Sequence, residues 1–127
     1  MVEVAVRVMR QVIAMLLAKH ERVHIVMAEG NHDMASSVWL RTMFKALYEN
    51  EPRISVDDSA LPYYAFEFGE VMLAFHHSHL KKNAALPGLL AAQFAPMWGR
   101  TRKRYCHTGN LHHAEEKEHT GMTVIQH

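Results

Sequence analysis

The chain has 127 residues, of which 49% are hydrophobic and 21% are charged, a composition that favours a folded domain over a disordered segment. Its formal net charge of +1 argues against a protein that binds nucleic acid through a broad basic surface. The single cysteine, Cys106, excludes an internal disulfide framework and a zinc site built from cysteines. Because no apolar run is long enough to cross a bilayer and no signal peptide is recognisable, we expect a cytoplasmic protein without membrane contacts.

The first half of the chain alternates helix-like and strand-like segments. Apolar side chains spaced three and four residues apart predict a helix over residues 2–19. Residues 22–27 are β-branched and are followed by Gly30, which predicts a buried strand that ends in a tight turn. Residues 35–37 are expected to begin a second helix that runs to Tyr48, and residues 54–56 to form a short strand. Helix, strand and turn in this order are typical of an α/β fold.

The second half is expected to contain more strands. Residues 63–68 and 71–75 flank Gly69-Glu70, a pattern typical of a β-hairpin. A helix is predicted over residues 84–98, and the basic run 100–104 follows it. Strands are predicted at 105–108 and 122–125, with a polar linker of Glu, Lys and His between them. Since no repeat, low-complexity tract or long linker interrupts this pattern, we expect residues 1–127 to form a single domain.

Histidine is the unusual residue of this sequence. The chain contains eleven histidines, and seven of them fall within residues 76–79 and 107–119. Histidine is the commonest neutral metal ligand in proteins and the side chain that titrates nearest to neutral pH. The composition therefore directs the search for function to the histidine-rich stretches.

Three polar stretches each follow a predicted strand. They are residues 30–33 (GNHD), 76–79 (HHSH) and 107–113 (HTGNLHH). Because ligands bind at the carboxyl ends of strands in open α/β sheets, the three stretches together predict one convergent metal site. A polar turn before a helix is the alternative for the first stretch, and a surface cluster of histidines is the alternative for the second.

These stretches resemble the C-terminal half of the catalytic domain of calcineurin-like metallophosphoesterases, including phage-encoded members of that superfamily. The family signature has five blocks: Asp-x-His, Gly-Asp-x-x-Asp, Gly-Asn-His-(Asp/Glu), a lone His, and Gly-His-x-His. GNHD at 30–33 matches the third block completely, and His77 matches the fourth, with Ser78 where the family commonly has Gly. Residues 109–112 match the fifth block except at Asn110. The resemblance implies an α/β fold with a partial metallophosphoesterase-type β-sandwich flanked by helices.

The resemblance also implies roles for individual residues. Four side chains would bind two divalent metal ions (Mn, Fe, Zn or Mg): Asn31, His77, Asn110 and His112. Asn31 and His77 would bind the second metal and His112 the first. His32 would give a proton to the leaving oxygen of a phosphoester, and Asp33 would orient its imidazole. The reaction implied is phosphoester hydrolysis by a metal-activated water.

The sequence departs from the family pattern in two ways. Asn110 offers an amide oxygen where the family has an imidazole, which favours a weaker site or a harder ion. The Asp-x-His and Gly-Asp-x-x-Asp blocks do not occur, since the Asp residues are Asp33, Asp57 and Asp58 and none follows a Gly. We therefore expect the chain to be the C-terminal portion of a longer metallophosphoesterase domain, weak or inactive alone, with an open sheet edge that favours self-association.

Two other functions stay open. The chain could be a non-catalytic metal-binding or nucleotide-binding remnant used for protein contacts. It could also be a nuclease-type subunit that holds a DNA backbone through the basic run 100–104. Phosphoester substrates, nucleotides and DNA are thus the expected partners. Apart from His32, His77 and His112, the histidines are expected to lie at the surface.

Overall fold

A computed structural model describes residues 2–32, 34–111 and 113–127. The chain divides into two compact units. The first contains the residues up to Met27 together with Val38–Asp58, and the second contains Ala28–Ser37 together with Ser59–His127. The prediction of a mixed α/β fold is confirmed, because helices and β-sheets occur together along the chain.

The first unit is built on a short parallel strand pair. Helix α1 (Val2–Leu17) leads into β1 (Val23–Ile25), which pairs in parallel with β2 (Ile54–Val56). Helix α2 (Met34–Leu47) begins in the second unit and contributes most of its length to the first. Ile13, Ile25 and Phe44 are the buried centre of this unit. The helix predicted from the apolar spacing is confirmed, but its buried stripe is narrow: Ile13 is buried and Met9 and Leu17 pack partly against this centre. Three residues of the apolar pattern, Val2, Val12 and Leu16, are exposed.

The second unit is a five-stranded mixed sheet in the order β3-β4-β5-β7-β6. Its strands are β3 (Tyr64–Phe68), β4 (Val71–His76), β5 (Lys103–Thr108), β6 (Glu115–His119) and β7 (Met122–Gln126). The central strands β4, β5 and β7 are parallel, and the edge strands β3 and β6 are antiparallel to their neighbours. The predicted hairpin around Gly69 is confirmed, with φ of +57° at that glycine.

One face of this sheet packs against two short helices. The chain between β4 and β5 forms a 3₁₀ turn (Asn83–Ala85), then α3 (Leu86–Gln93) and α4 (Ala95–Arg100). Alternate side chains of the central strands meet the helices in a buried core of Met72, Ala74, Leu86, Leu90, Cys106, Met122 and Val124. Burial raises the pKa of the Cys106 thiol to about 12, so this cysteine is a packing residue and not a nucleophile.

Two predicted elements differ in the structure. The helix predicted over residues 84–98 is broken at Phe94, where φ is −119° and ψ is 42°. Pro96 explains the break, because in a continuous helix it would have no N–H to donate to the carbonyl oxygen of Ala92 and its ring would clash with that carbonyl; it is tolerated in the first turn of the new helix α4. The linker predicted between the last two strands is instead strand β6. Its five residues are all polar because β6 is an edge strand with no buried residue on either face.

No helix in the described ranges is long and apolar enough to cross a membrane. The predicted β-sandwich is an arrangement in which two sheets pack face to face, and that arrangement stays a prediction. Edge strand β3 exposes Phe68, whose side chain is 74% accessible. Such an edge suits the expected self-association, which stays a proposal.

Candidate functional site

The histidine-rich stretches follow the carboxyl ends of parallel strands. In the register of the sheet, His76 at the end of β4 lies beside Thr108 at the end of β5. Thr108 in turn lies beside Gln126 at the end of β7. Because the strands run in the same direction, the chain leaves all three at one edge of the sheet. This is the edge where α/β sheets bind ligands.

The loops after β4 and β5 touch each other at this edge. A Cβ atom placed on Gly109 would lie 3.3 Å from Nδ1 of His77, which is close for any non-bonded pair. Asn110 follows with φ of +75°, in the left-handed region that Asn tolerates better than most residues. His77 and Asn110 are both half-buried. Two predicted ligands that are more than thirty positions apart in the sequence are therefore carried by adjoining loops.

Gly109 leaves room for the His77 ring. We expect Gly109→Ala to displace that ring, because the added methyl group needs space that Nδ1 of His77 now limits. Gly109 does not have a positive φ, so the change adds no backbone strain of the kind expected at Gly69 or Gly121. The imidazole resonances of His77 should therefore shift in an NMR spectrum. Gly88→Ala, where a Cβ atom meets nothing, is the matched control. An unmoved His77 ring in Gly109→Ala would contradict the contact.

A buried hydrogen-bond network fixes the ends of the three strands. Gln126, which is 2% accessible, accepts hydrogen bonds from Asn83 Nδ2 (3.2 Å) and Thr108 Oγ1 (2.9 Å). Its Nε2 donates to the carbonyl oxygen of Gly109 at 2.7 Å. Asn83 also accepts a 2.8 Å hydrogen bond from Ser78, which has a φ of +67°. The network therefore holds both loops that carry the predicted ligands.

No motif of the sequence predicts this network. Gln126 and Asn83 belong to no motif, and the signal that could have found Gln126 is its place as a polar residue at the end of an apolar strand. A buried amide in such a position needs several partners, since an unpaired one is costly.

His76 is a core residue, and its expected place at the surface is wrong. It is 2% accessible, and its Nδ1 lies 2.8 Å from the carbonyl oxygen of Pro62. Its ring packs against Tyr63 at 4.6 Å and against His79 at 5.6 Å. Burial is the main reason that the pKa of His76 is lowered, and the hydrogen bond from the ring to Pro62 opposes that shift only in part. His76 is therefore neutral at pH 7, with Nδ1–H as the donor.

A second pair of histidines joins β5 to the residue after β7. Nδ1 of His107 lies 2.9 Å from Nε2 of His127, and the two rings are nearly parallel. His107 also stacks on Phe75, with ring centroids 5.6 Å apart. Burial and the neighbouring His127 lower the pKa of His107. The His107 ring is therefore packed between Phe75 and the exposed ring of His127.

The remaining predicted site residues lie in the turn before α2 or outside the described residues. Asn31 and His32 are exposed, and Nδ2 of Asn31 lies 3.4 Å from Nε2 of His32. Their turn belongs to the same compact unit as the five-stranded sheet. Asp33 and His112 fall outside the described residues.

The donor set for a metal is incomplete in the described part of the chain. Among residues 2–32, 34–111 and 113–127, no three side chains of His, Cys, Asp or Glu are grouped closely enough to hold a metal ion. His77 and Asn110 offer one imidazole and one amide oxygen. A stable transition-metal site ordinarily needs three or four protein ligands. The described residues therefore do not fit a complete metal centre by themselves.

The basic run 100–104 lies at the other end of β5. Arg100 makes a two-point ion pair with Glu67, and Arg102 pairs with Glu70. Arg104 stacks on the Trp98 ring, and its guanidinium donates to backbone carbonyl oxygens, including that of Gly121 at 3.1 Å. Three of the four cationic side chains are thus engaged within the fold, at the end of the sheet opposite His77 and Asn110. The run does not line the candidate site.

The comparisons with known proteins include a weak likeness in structure. No protein-family model matches the chain, and no curated protein matches it. The chain is similar in structure to a conserved uncharacterized protein of Streptococcus pneumoniae TIGR4, described as a predicted phosphoesterase. The match has 14% identity, a TM-score of 0.33, and covers 81% of this chain and 68% of the other. A likeness this weak carries no conclusion about the function of this chain.

Proposed function

We propose that the chain contributes ligands and an acid to a metal-dependent phosphoesterase centre. The observation that carries the proposal is the contact between the loops after β4 and β5, which holds His77 against Gly109, next to Asn110. These two loops correspond to the fourth and fifth blocks of the metallophosphoesterase signature. Asn31 and His112 are the other proposed ligands, His112 on the ground of its motif position alone.

His32 is the proposed proton donor to the leaving oxygen. It is exposed in the turn before α2, where a substrate can reach it. The amide nitrogen of Asn31 lies 3.4 Å from Nε2 of His32 and can donate a hydrogen bond to it. Because this hydrogen bond is long and therefore weak, it is readily broken when Nε2 is protonated. Asp33 is the proposed group that orients the ring. A positioned imidazole of this kind is the commonest acid in hydrolytic enzymes.

Two blocks of the metallophosphoesterase signature are absent from this sequence, and for that reason we expect low activity. A two-metal phosphoesterase of this family uses a bridging Asp, which this sequence lacks together with the Asp-x-His and Gly-Asp-x-x-Asp blocks. We propose that the chain alone binds a divalent metal weakly and hydrolyses phosphoesters slowly or not at all. A phosphoester, either a nucleotide or DNA, is the proposed substrate of the completed centre.

His77 is the residue on which metal binding is expected to depend most. In a calorimetric titration of the metal-free chain with Mn²⁺, we expect His77→Ala to weaken binding by more than about tenfold, since even changes in the partners of a ligand cost that much. His20→Ala removes an exposed histidine between α1 and β1 and should leave the affinity unchanged. Unchanged Mn²⁺ affinity in His77→Ala would overturn the proposed site.

His32 is expected to act on hydrolysis and not on metal binding. With an aryl phosphodiester as substrate and excess Mn²⁺, any hydrolysis by the chain should fall on the order of 100-fold in His32→Ala while the Mn²⁺ affinity is kept. Hydrolysis that survives this substitution would contradict the proposed acid. His77-dependent Mn²⁺ binding without hydrolysis would favour the non-catalytic remnant for the isolated chain.

A further inference from the structure

We infer that a cavity beside the proposed site binds a nucleoside diphosphate, with Lys81 and Lys82 against one of its phosphate groups. The cavity has a volume of about 340 Å³ and lies between the loop after β4 and the chain after β5. Two of the residues that line it, Ser78 and Leu111, each directly follow a proposed metal ligand in the sequence. That this nucleotide is the substrate rests on the proposed function, whereas its binding to the cavity does not.

The charged side chains of the cavity favour an anion. Lys81 and Lys82 line the cavity and are exposed. Within the described ranges, no carboxylate forms an ion pair with either lysine. Glu115 also lines the cavity, so two positive charges are opposed there by one negative charge. Because lysine ammonium groups form charge-assisted hydrogen bonds with phosphate oxygens, a phosphate group is the ligand that these two side chains fit.

The cavity also has apolar walls. Leu80 and Leu111, one from each side, line it, and their side chains are 53% and 47% accessible. A ligand that carries a flat ring as well as phosphate groups would remove this apolar surface from water, which is favourable. The volume of about 340 Å³ lies at the lower end of the range of small-molecule sites, about 300–1,000 Å³. The cavity is therefore matched in size to a single nucleotide and not to a run of DNA.

The fold holds the loop that carries the two lysines in shape. Ser78 Oγ donates to Asn83 Oδ1 at 2.8 Å and so joins the two ends of the loop. Asn83 donates in turn to the buried side chain of Gln126 at 3.2 Å. The backbone N–H of Ala85 donates to the carbonyl oxygen of Lys82 at 2.9 Å. Because the backbone of the loop is ordered before a ligand arrives, binding has to order little more than the lysine side chains.

A titration of the metal-free full chain with adenosine diphosphate, followed by NMR, tests the inference. We expect Lys81→Gln and Lys82→Gln each to weaken binding about fivefold, since each removes one charge from a partly exposed site. Glu115→Gln removes the opposing charge and should strengthen binding about twofold. Lys19→Gln, which removes an exposed charge between α1 and β1, should bind as the unchanged chain does.

Two other ligands show which part of the nucleotide the lysines bind. Adenosine has no phosphate group and should bind equally to the unchanged chain and to the two lysine variants. Added salt should weaken the binding of adenosine diphosphate but not that of adenosine. A short single-stranded DNA that binds more tightly than adenosine diphosphate, and loses that binding in the lysine variants, would overturn the choice of a nucleotide in favour of DNA.

Because the titration is made without metal, its outcome can be told apart from that of the proposed function. Affinity for adenosine diphosphate that is unchanged in both lysine variants would overturn the inference, even if Mn²⁺ binding depends on His77. Binding of adenosine diphosphate that needs both lysines would support it. If Mn²⁺ binding then does not depend on His77, the cavity is a nucleotide site and the phosphoesterase centre beside it is overturned.

Discussion

Replacing Asn110 by His is expected to tighten the binding of Mn²⁺ or Zn²⁺ on the order of tenfold. The variant puts an imidazole where the metallophosphoesterase signature has one, beside the loop that carries His77. Imidazole nitrogen binds these metals more strongly than an amide oxygen does. The backbone permits the change, because φ at this residue is +75° and His, like Asn, is enriched in the left-handed region.

Asn110→Gly is the matched control for this substitution. Glycine adopts the same φ without strain but supplies no ligand, so it should bind Mn²⁺ more weakly than the unchanged chain. The expected order of affinity is therefore His, then Asn, then Gly at this position. Calorimetric titration of the three chains measures that order. Equal affinities would show that the side chain at 110 does not reach a metal.

The strands of the sheet were largely predictable because their side chains alternate. In β4, Met72, Ala74 and His76 are buried and the residues between them are half-buried, as an apolar strand with one covered face requires. The parallel order of β4, β5 and β7 then brings together loops that are distant in the sequence. The meeting of His77 with Gly109 follows from that order, and strand periodicity alone does not predict which strands are neighbours.

Strand β6 shows where periodicity fails. Its sequence, Glu115–His119, carries no apolar side chain, and its residues are exposed or half-buried. The strand exists because its backbone pairs with β7 and because Gly121, with φ of +81°, permits the tight turn between the two. A backbone ladder without a buried face leaves no hydrophobic pattern for sequence analysis to detect.

The surroundings of the histidines could also be predicted only in part from the sequence. His76 and His77 are neighbours in the sequence, but the first is in the core and the second reaches the candidate site. The alternation of a strand predicts that they point to opposite sides. It does not predict that the carbonyl oxygen of Pro62 accepts a hydrogen bond from Nδ1 of His76, because that partner comes from a loop fourteen residues away. Tertiary hydrogen bonds of this kind decide which histidines are free to bind a ligand.

Gln126→Leu is expected to destabilise the protein by about 2–3 kcal/mol. The substitution keeps the approximate volume of the side chain but removes every hydrogen bond that its amide makes. Asn83 and Thr108 lose an acceptor, and the carbonyl oxygen of Gly109 loses a donor. A fully buried polar group left without a partner, as Thr108 would be, costs about 1–3 kcal/mol, and the half-buried groups of Asn83 and Gly109 cost less. Urea denaturation of the unchanged chain and of the variant measures the loss as a difference in the free energy of unfolding.

Two further variants show whether the loss of stability comes from the hydrogen-bond network or from replacing any glutamine by leucine. Gln93→Leu makes the same chemical change at an exposed position of α3 and should alter the free energy of unfolding by less than about 0.5 kcal/mol. Thr108→Val removes one donor to Gln126 and leaves the contacts with Asn83 and Gly109, so it should cost about 1 kcal/mol. If Gln126→Leu lowers the free energy of unfolding by no more than Gln93→Leu does, the amide of Gln126 does not stabilise the carboxyl ends of β4, β5 and β7. If the expected order is found, the loops that carry His77 and Asn110 depend on an amide that lies outside every motif in this sequence.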